Sequence, residues 1–303
     1  MISICIPVYN FDVRPLVNEL ISQIEGIDCE LILIDDASSE CVFSHEELNA
    51  KTKFIRLNEN VGRSKIRNLF LSESTCPYLL FLDCDSIIEK KDFIATYLEA
   101  IKKGNTKVIC GGRYYPDSSP SKTQMLRWKY GVESESKTAE ERLANPYKSF
   151  MTNNFLVDRS VFEKIRFDET LTKYGHEDTL FGFELKNNHV RIDHVENAIL
   201  NGELESNQLY LSKTELGVKN LVKIVNSMDE PDDFIDDVYL LSFYREAKEK
   251  GKIKNYKRLQ SIFGKRILKK LVKGVASVKQ FNFYKLMLLV KYLESEEVKK
   301  TKT

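Results

Sequence analysis

Short apolar segments alternate with amphipathic helical patterns through the first third of the chain, and this alternation limits the possible folds. Strand-like runs lie at residues 2–8, 29–34, 54–57, 78–82 and 107–112, and helical patterns lie at 12–26, 62–72 and 91–103. Such alternation is typical of βαβ units, which build a mainly parallel sheet with helices on both faces. The sequence therefore predicts an α/β fold.

Composition excludes several classes of protein. The 303 residues are 42% hydrophobic and 30% charged, with a formal net charge of +1, which is ordinary for a globular chain and predicts no nucleic-acid partner. No apolar run is long enough to cross a membrane, and the first residues lack the pattern of a secretory leader, so we expect a cytoplasmic protein. Six cysteines occur singly and are expected to be reduced: Cys5, Cys29, Cys41, Cys76, Cys84 and Cys110.

Polar residues follow three of the predicted strands directly. Asp83 and Asp85 come after the run 78–82, and similar polar clusters follow the runs 2–8 and 29–34. The carboxyl ends of parallel strands meet at one edge of the sheet, where ligands bind in open α/β folds. Alternation along a strand would put both carboxylates on one face, where they could hold Mg²⁺ or Mn²⁺. A simple polar turn is the alternative, and the spacing alone leaves both open.

The remainder of the chain is predicted to form an insertion, a return to the sheet and a helical end. Residues 114–148 are predicted to be irregular around one short helix at 124–132, and order resumes with a strand at 150–157 and a helix beginning at Glu177. Short strands are predicted at 190–195 and 197–200. We expect one domain over residues 1–225 and a helical extension over 226–303.

The segment 248–273 is predicted to be a basic amphipathic helix. It contains eleven Lys or Arg residues and a single acid, Glu249, with apolar residues at helical spacing. Two interpretations remain open. The apolar stripe could pack on the protein's own domain, or the helix could make a peripheral contact with anionic lipid.

Five short motifs occur in a fixed order along the chain, and together they resemble glycosyltransferase family 2, the inverting nucleotide-sugar transferases of GT-A fold. The resemblance covers about residues 1–225. The motifs are PVYN at 7–10, IDDAS at 34–38, NVGR at 60–63 with RN at 67–68, FLDCD at 81–85, and GHED at 175–178.

The resemblance implies a site for a UDP-sugar donor. In this family the acid that ends the second strand receives the base, and the matching residue is Asp36, whose carboxylate can accept from uracil. Arg63 and Arg67, one helical turn apart, would offset the charge of the diphosphate. The full set implied to bind the nucleotide is Pro7, Tyr9, Asn10, Asp36, Gly62, Arg63, Arg67 and Asp83.

The resemblance also implies a metal site and a catalytic base. Asp85 is expected to ligate Mn²⁺ or Mg²⁺ directly, and Asp83 is expected to reach the ribose, or the ion through water. Relatives often carry a metal-binding His where this chain has Asn201, whose amide oxygen is a weaker ligand for Mn²⁺. Asp178 is the expected base, with Glu177 orienting the acceptor hydroxyl. The residues expected on the acceptor side are Asn153, Asn154 and His176.

The function implied is transfer of a sugar from a UDP-sugar to a saccharide or lipid-linked saccharide, with metal assistance and inversion. If the helix at 248–273 contacts lipid, we expect the protein at the inner face of a membrane. Two alternatives are weighed against it. Phosphatases of the haloacid-dehalogenase kind also carry two aspartates after a strand, although their first Asp is a nucleophile near the start of the core. A non-catalytic nucleotide or saccharide binder is the second alternative, because Asn201 departs from the family pattern.

Overall fold

The computed structural model describes residues 1–40, 47–104 and 106–300, and side chains up to residue 295, so the prediction for Cys41 lies outside the described residues. The chain divides into two compact units. The first contains residues 1–116, 135–172 and 177–203, and the second contains 117–134, 173–176 and 204–303. The predicted boundary at residue 225 falls inside a helix, Asn207–Ser227, of the second unit.

A seven-stranded sheet forms the centre of the first unit. Its strands follow the order β3-β2-β1-β4-β8-β6-β9, and β8 is antiparallel to both of its neighbours whereas the other pairs are parallel. The bounds are β1 Ile2–Val8, β2 Cys29–Asp35, β3 Thr52–Arg56, β4 Tyr78–Leu82, β6 Val108–Cys110, β8 Asn154–Asp158 and β9 Ile192–His194. The predicted mainly parallel sheet is confirmed, although the strand expected from residue 150 begins only at Asn154.

Helices cover both faces of this sheet, as predicted. Alternate strand residues point to opposite faces. Ile4 and Leu80 pack under α1 and α3, whereas Cys5 and Phe81 pack under α2 and α7. The helices of the first unit are α1 Arg14–Gln23, α2 Arg63–Glu73, α3 Phe93–Lys102, α5 Ala139–Leu143, α6 Arg159–Phe162 and α7 Glu177–Asn187.

A cluster of phenylalanines fixes α7 on the sheet. Phe81 of β4 stacks on Phe155 of β8 with ring centroids 4.9 Å apart, and Phe167 stacks on Phe181 of α7 at 4.3 Å. Phe155 and Phe181 join the two pairs at 6.2 Å. Such pairs contribute about 1 kcal/mol each beyond the burial of their area. The amino end of α7 is therefore held in a defined place beside the carboxyl edge of the sheet.

The first unit also contains a second, three-stranded sheet. Its strands are β5 Ser86–Ile87, β7 Arg113–Tyr114 and β10 Ile199–Asn201, in the order β5-β10-β7. Asn201 pairs with Ser86, and the N–H of Gly202 donates to the carbonyl of Asp85 at 3.2 Å. This small sheet brings Arg113 and Asn201 to the acidic turn that follows β4.

Arg142 is a buried support for the turn that follows β6. Its guanidinium donates to the carbonyls of Gly111 at 2.9 Å and Val195 at 2.7 Å, and its Nε donates to Nδ1 of His194 at 3.1 Å. Gly112 has φ of 89°, and a Cβ there would lie 2.3 Å from the Arg142 guanidinium. Only glycine fits this place, so Gly112 and Arg142 together fix where the next residue, Arg113, emerges.

The insertion is more ordered than predicted. The helix expected at 124–132 is α4, Met125–Tyr130, which continues as a π-helical turn, Gly131–Glu135. The short α5 follows and begins with a capping box, in which Thr138 and Glu141 each satisfy the other's backbone N–H. This signal was present in the sequence and was missed.

The second unit is helical. Its remaining helices are α8 Asn207–Ser227, α9 Asp232–Asp237, α10 Tyr239–Glu249, α11 Ile253–Val272 and α12 Val278–Lys300. Leu126, Tyr210, Leu271 and Phe281 share one apolar core. The basic helix predicted over 248–273 is α11, but it begins only at Ile253, because α10 ends at Glu249 and Gly251, with φ of 63°, turns the chain between the two helices. Within the described residues, no helix has the length and apolar character needed to traverse a bilayer.

Candidate active site

Asp83 and Asp85 lie in a tight turn after β4. The N–H of Ser86 donates to the carbonyl of Asp83 at 3.1 Å, and the N–H of Asp83 donates to the carbonyl of Asn153 at 3.2 Å. The two carboxylates are therefore brought together by a turn, whereas strand alternation was the geometry expected from the sequence. The turn lies at the carboxyl edge of β1, β2 and β4, which run parallel as predicted.

Arg67 of α2 holds Asp83. Its Nη2 lies 3.2 Å from Oδ1 of Asp83, and the arginine side chain is only 2% exposed. Burial raises the pKa of Asp83, but the charges of Arg67, Arg63 and Arg113 outweigh that effect, and the net pKa is lowered. Asp83 is therefore an anion with a fixed partner.

Asp85 is in a different electrostatic state. Burial and the nearby charge of Asp83 raise its pKa to about 6. Two carboxylates that repel each other at a ligand-binding edge suit a divalent cation, which would relieve the repulsion. The described residues contain no group of three or more His, Cys, Asp or Glu side chains that could hold a metal. An ion here would rely on the two aspartates and on oxygens of a bound substrate.

Asn201, the residue at the place of the family histidine, lies beside this turn. Its Oδ1 accepts from Nη1 of Arg113 at 3.4 Å, and its Nδ2 donates to the carbonyl of Glu203 at 3.0 Å. The amide oxygen of Asn201 is thus already hydrogen-bonded to the guanidinium of Arg113. Its expected role as a metal ligand stays a prediction, and ligation would compete with the Arg113 contact.

Glu177 and Asp178 begin α7 and have distinct surroundings. Glu177 is buried, and its Oε1 lies 3.5 Å from Nη1 of Arg63 and 3.7 Å from Nη1 of Arg67. Burial and the charge of Glu177 raise the pKa of Asp178 to about 6. Oδ1 of Asp178 accepts from the N–H of Thr179 at 2.7 Å, which leaves Oδ2 as its available proton acceptor. A carboxylate with this pKa can accept a proton near neutral pH.

Asp36 is occupied by the backbone of the next motif. Its two carboxylate oxygens accept from the N–H groups of Val61 at 2.7 Å and Gly62 at 3.1 Å. Burial raises the pKa of Asp36, and these two bonds partly oppose the rise. Asp36 therefore positions the amino end of α2, where Gly62 has φ of 83°. A carboxylate has further acceptor positions, so contact with a base stays a prediction.

The loop that follows β1 is hydrogen-bonded to the loop that follows β2. Asn10, with φ of 48°, donates its N–H to Oγ of Ser38 at 2.8 Å and its Nδ2 to Oγ of Ser39 at 3.2 Å. Tyr9 is half exposed and Pro7 is partly buried at the end of β1. These contacts bring two of the predicted nucleotide-binding motifs together.

Asn153 and Asn154 differ sharply. Asn154 is buried, with its Nδ2 donating to the carbonyls of Gly112 at 3.0 Å and Asn197 at 2.8 Å, and its Oδ1 accepting from Tyr97 at 2.6 Å. All of its main hydrogen-bonding positions are filled, so this placement does not support the expected acceptor contact. These bonds hold the turn after β6, and the expected contact of Asn154 with an acceptor stays a prediction.

Asn153 retains its place in the candidate site. It is 2% exposed, and neither atom of its amide has a hydrogen-bond partner among the described residues. Alternation along β8 places it on the face of Phe155, the face on which α2 and α7 pack. A buried amide without partners is costly unless a ligand satisfies it. His176, the third residue expected on the acceptor side, has φ of 67° and belongs to the second unit.

Arg113 was missed by sequence reasoning. The charge of Arg113 acts to lower the pKa of each of the three aspartates Asp83, Asp85 and Asp178. In Asp85 and Asp178, burial and a neighbouring carboxylate outweigh this effect. The available signal was the run Gly111-Gly112-Arg113 directly after a predicted strand, at the edge where the other polar clusters were expected. To use that signal, one must know that β6 ends at the same edge of the sheet as β4, and the sequence alone does not show this.

The sheet and its acidic edge define a class of fold, and solved structures share it. The mannosyltransferase PcManGT from Pyrobaculum calidifontis, in complex with GDP-Man and Mn²⁺, superposes with a TM-score of 0.55 at 15% identity, over 96% of this chain and 86% of that one. S. aureus TarS gives 0.53 at 19% identity, over 81% and 43%. A TarS fragment in complex with UDP-GlcNAc gives 0.52 at 17% identity, over 97% and 92%. The protein has the GT-A fold.

The family follows from the sequence itself. Residues 3–166 match the model of Glycosyl transferase family 2, which is more than half of the chain, and the protein belongs to that family. A curated relative from Haemophilus influenzae, described as an uncharacterized glycosyltransferase, is 34% identical over 86 residues. The match spans 28% of this chain and 29% of that relative.

Proposed function

We propose that the protein transfers a sugar from a UDP-sugar to a saccharide or lipid-linked saccharide acceptor, with inversion and with a divalent cation. The observation that carries the proposal is the convergence of Asp83, Asp85 and Asp178 with Arg67 and Arg113 at the carboxyl edge of the sheet. Membership of glycosyltransferase family 2 supports the reaction class.

The donor is a nucleoside diphosphate sugar in this proposal. Arg63 and Arg67 at the start of α2 supply positive charge for the diphosphate, and Gly62 lets the backbone approach it closely. Two structural neighbours are complexes with UDP-GlcNAc and with GDP-Man, which supports the class of donor and leaves the base to be tested. The uridine preference rests on Asp36.

Asp85 and Asp83 are the residues that would hold Mn²⁺ or Mg²⁺. When bound, the ion supplies charge neutralisation for the departing nucleoside diphosphate. Burial and then the charge of Asp83 raise the pKa of Asp85 to about 6, and a cation between these carboxylates would relieve the repulsion between them. Arg67 already engages Asp83, so Asp85 is the side chain with more capacity for direct ligation.

Asp178 takes the proton of the acceptor hydroxyl in this proposal. With a pKa of about 6, it is ionised at neutral pH and is still a stronger base than an ordinary aspartate. Glu177 was expected to orient the acceptor, but its contacts with Arg63 and Arg67 favour a role in positioning both guanidinium groups. The unsatisfied amide of Asn153 is the better candidate for a contact with substrate.

The test is a panel of UDP- and GDP-sugars, assayed for metal-dependent release of the nucleotide with and without saccharide acceptors. Asp178→Asn is expected to lower the rate of transfer by about 10²- to 10⁴-fold while donor binding, measured by calorimetry, persists. Asp85→Asn is expected to abolish the metal dependence. Asp28→Asn changes an exposed aspartate of the same unit and is the matched control.

The same assay separates the alternatives. Hydrolysis of phosphomonoesters without release of UDP or GDP from any sugar donor would favour the phosphatase of the haloacid-dehalogenase kind. Donor binding without turnover, unchanged by Asp178→Asn, would favour a non-catalytic binder. Either result contradicts the proposed transferase.

A further inference from the structure

Helix α11 has an extreme charge bias. Its twenty residues, Ile253–Val272, include seven Lys or Arg and no Asp or Glu. Lys257 forms an ion pair with Glu294 of α12. Within the described side chains, Arg266 and Lys270 of α11 and Lys279 of α12 form no ion pair. Their positive charge is therefore available to an anionic partner.

Large apolar side chains are exposed on the same helix. Ile262 is 59% exposed, and Leu259, Phe263 and Leu268 are each more than 40% exposed. The side of α11 that packs on α12 is formed by other residues, including Ile267 and Leu271. The exposed apolar residues are therefore additional to those that the fold uses.

A groove between α11 and α12 brings the two features together. It has a volume of about 390 Å³, and its apolar wall is formed by Leu259, Phe263, Ile267 and Phe283. Three cations also line it: Arg266, Lys270 and Lys279. An apolar floor next to unpaired cations complements an amphiphile with an anionic head and a hydrocarbon tail.

We propose that this groove and the exposed face of α11 bind the surface of an anionic phospholipid bilayer. The three cations contact the headgroup phosphates, and Leu259, Ile262 and Phe263 enter the boundary of the acyl chains. Nucleic acid or an acidic peptide would satisfy the cations but would leave the exposed aliphatic side chains in water. The pattern therefore favours lipid over either of those polyanions.

The test is flotation of the 303-residue chain with vesicles of phosphatidylcholine, alone or mixed with phosphatidylglycerol. The protein is expected to float with the anionic vesicles, to stay behind with the neutral ones and to be released by salt. Neutralising the groove with Arg266→Gln, Lys270→Gln and Lys279→Gln is expected to weaken binding on the order of a hundredfold, because each basic residue near such a surface contributes about fivefold.

A matched control separates the groove from net charge. Lys51→Gln, Lys102→Gln and Lys103→Gln remove the same charge from exposed lysines of the first unit and are expected to leave vesicle binding unchanged. Phe263→Ser is expected to weaken binding while the charge is constant. Thermal unfolding of each variant checks that it is folded. We expect all of them to fold, because all of these side chains except Lys270 are exposed.

Insertion has its own measurement. A Phe263→Trp variant is expected to show fluorescence that brominated phosphatidylglycerol quenches, relative to the parent protein with its single Trp128. Equal binding to neutral vesicles, equal loss in the control triple variant, or no quenching at position 263 would each overturn the proposal. None of these results bears on sugar transfer, so the two proposals fail independently.

Discussion

Asp178 shows at the scale of a single residue how a buried charge trades stability for reactivity. Its pKa is raised from the usual 3.8 to about 6 by burial and by Glu177. An acid with a raised pKa in the folded state opposes folding when it is ionised. The cost is absent below pH 3.8 or so, grows as the pH rises toward 6, and is constant above that value.

Asp178→Asn is therefore expected to stabilise the protein. At about pH 7 the free energy of unfolding should rise by about 2 kcal/mol, from a shift of roughly two pKa units discounted for the partial exposure of the side chain. At about pH 4 the gain should nearly vanish. Urea unfolding of the variant and of the parent at both pH values measures the difference. A gain that is the same at both values would contradict the assigned cause.

The pKa of Asp178 also predicts the pH dependence of catalysis. The rate of transfer at saturating donor and metal is expected to fall as the pH drops below about 6, because the proposed base, Asp178, becomes protonated. Initial rates from about pH 5 to pH 8 measure the profile, with stability checked at each value. A rate that is flat across pH 6 would show that another group limits the reaction.

Single residues of the site were predictable where a local pattern specifies them. Asp83, Asp85 and Asp178 follow from short motifs at the ends of elements. Arg113 did not, because its place depends on β7, β10 and the Arg142 support, which are contacts far apart in the sequence. The different surroundings of Asn153 and Asn154 could not be predicted, because the sequence cannot show which face of β8 a side chain occupies before the register with β4 is known.

At the scale of elements, the turn after β6 depends on Arg142. This buried guanidinium satisfies the carbonyls of Gly111, Lys137 and Val195. Burial lowers its pKa, and burial also lowers the pKa of its partner His194 to about 4, so the histidine is neutral. The turn then delivers Arg113 to the acids.

Arg142→Met is expected to destabilise the protein by about 3 kcal/mol, because it keeps the volume but leaves buried carbonyls without donors. Arg113 should also lose its fixed position, so activity should fall more than stability alone explains. Chemical unfolding and initial rates measure the two effects. Arg166→Met changes an exposed arginine and is the control. Unchanged stability in Arg142→Met would contradict a supporting role.

Elements of the first unit were predicted well where the hydrophobic periodicity agreed with the residues that typically begin or end a helix or strand. β1 and β4 have the predicted bounds, because each is a mostly apolar run in which all residues but one are buried. The break between α10 and α11 was missed because continuous positive charge concealed Gly251 as a helix terminator. The antiparallel β8 was not predicted, since strand direction depends on a connection longer than any local signal.

At the scale of the whole molecule, the predicted boundary at residue 225 can be tested directly. The core of the second unit joins Leu126 and Tyr210 to Leu271 and Phe281, so it draws on both sides of that boundary. A chain ending at residue 225 is expected to aggregate or to unfold without cooperativity, because those apolar surfaces lose their partners. Light scattering and thermal unfolding measure the outcome.

The control for truncation is Leu271→Ala in the full chain, which should cost about 2–5 kcal/mol but leave one folded, monodisperse protein. A soluble 1–225 fragment with a sharp unfolding transition would instead support the boundary predicted from sequence. The interleaved order of the two units along the chain explains why composition could not locate it.

Arg67 lies within reach of both Asp83 and Glu177, at 3.2 and 3.7 Å. One guanidinium thus balances Asp83 and Glu177, the neighbour of the proposed base Asp178. Substitutions in the motif at 81–85 and in the motif at 175–178 are consequently expected to be epistatic. Directed evolution of a new donor preference would have to vary both of these motifs in the same library.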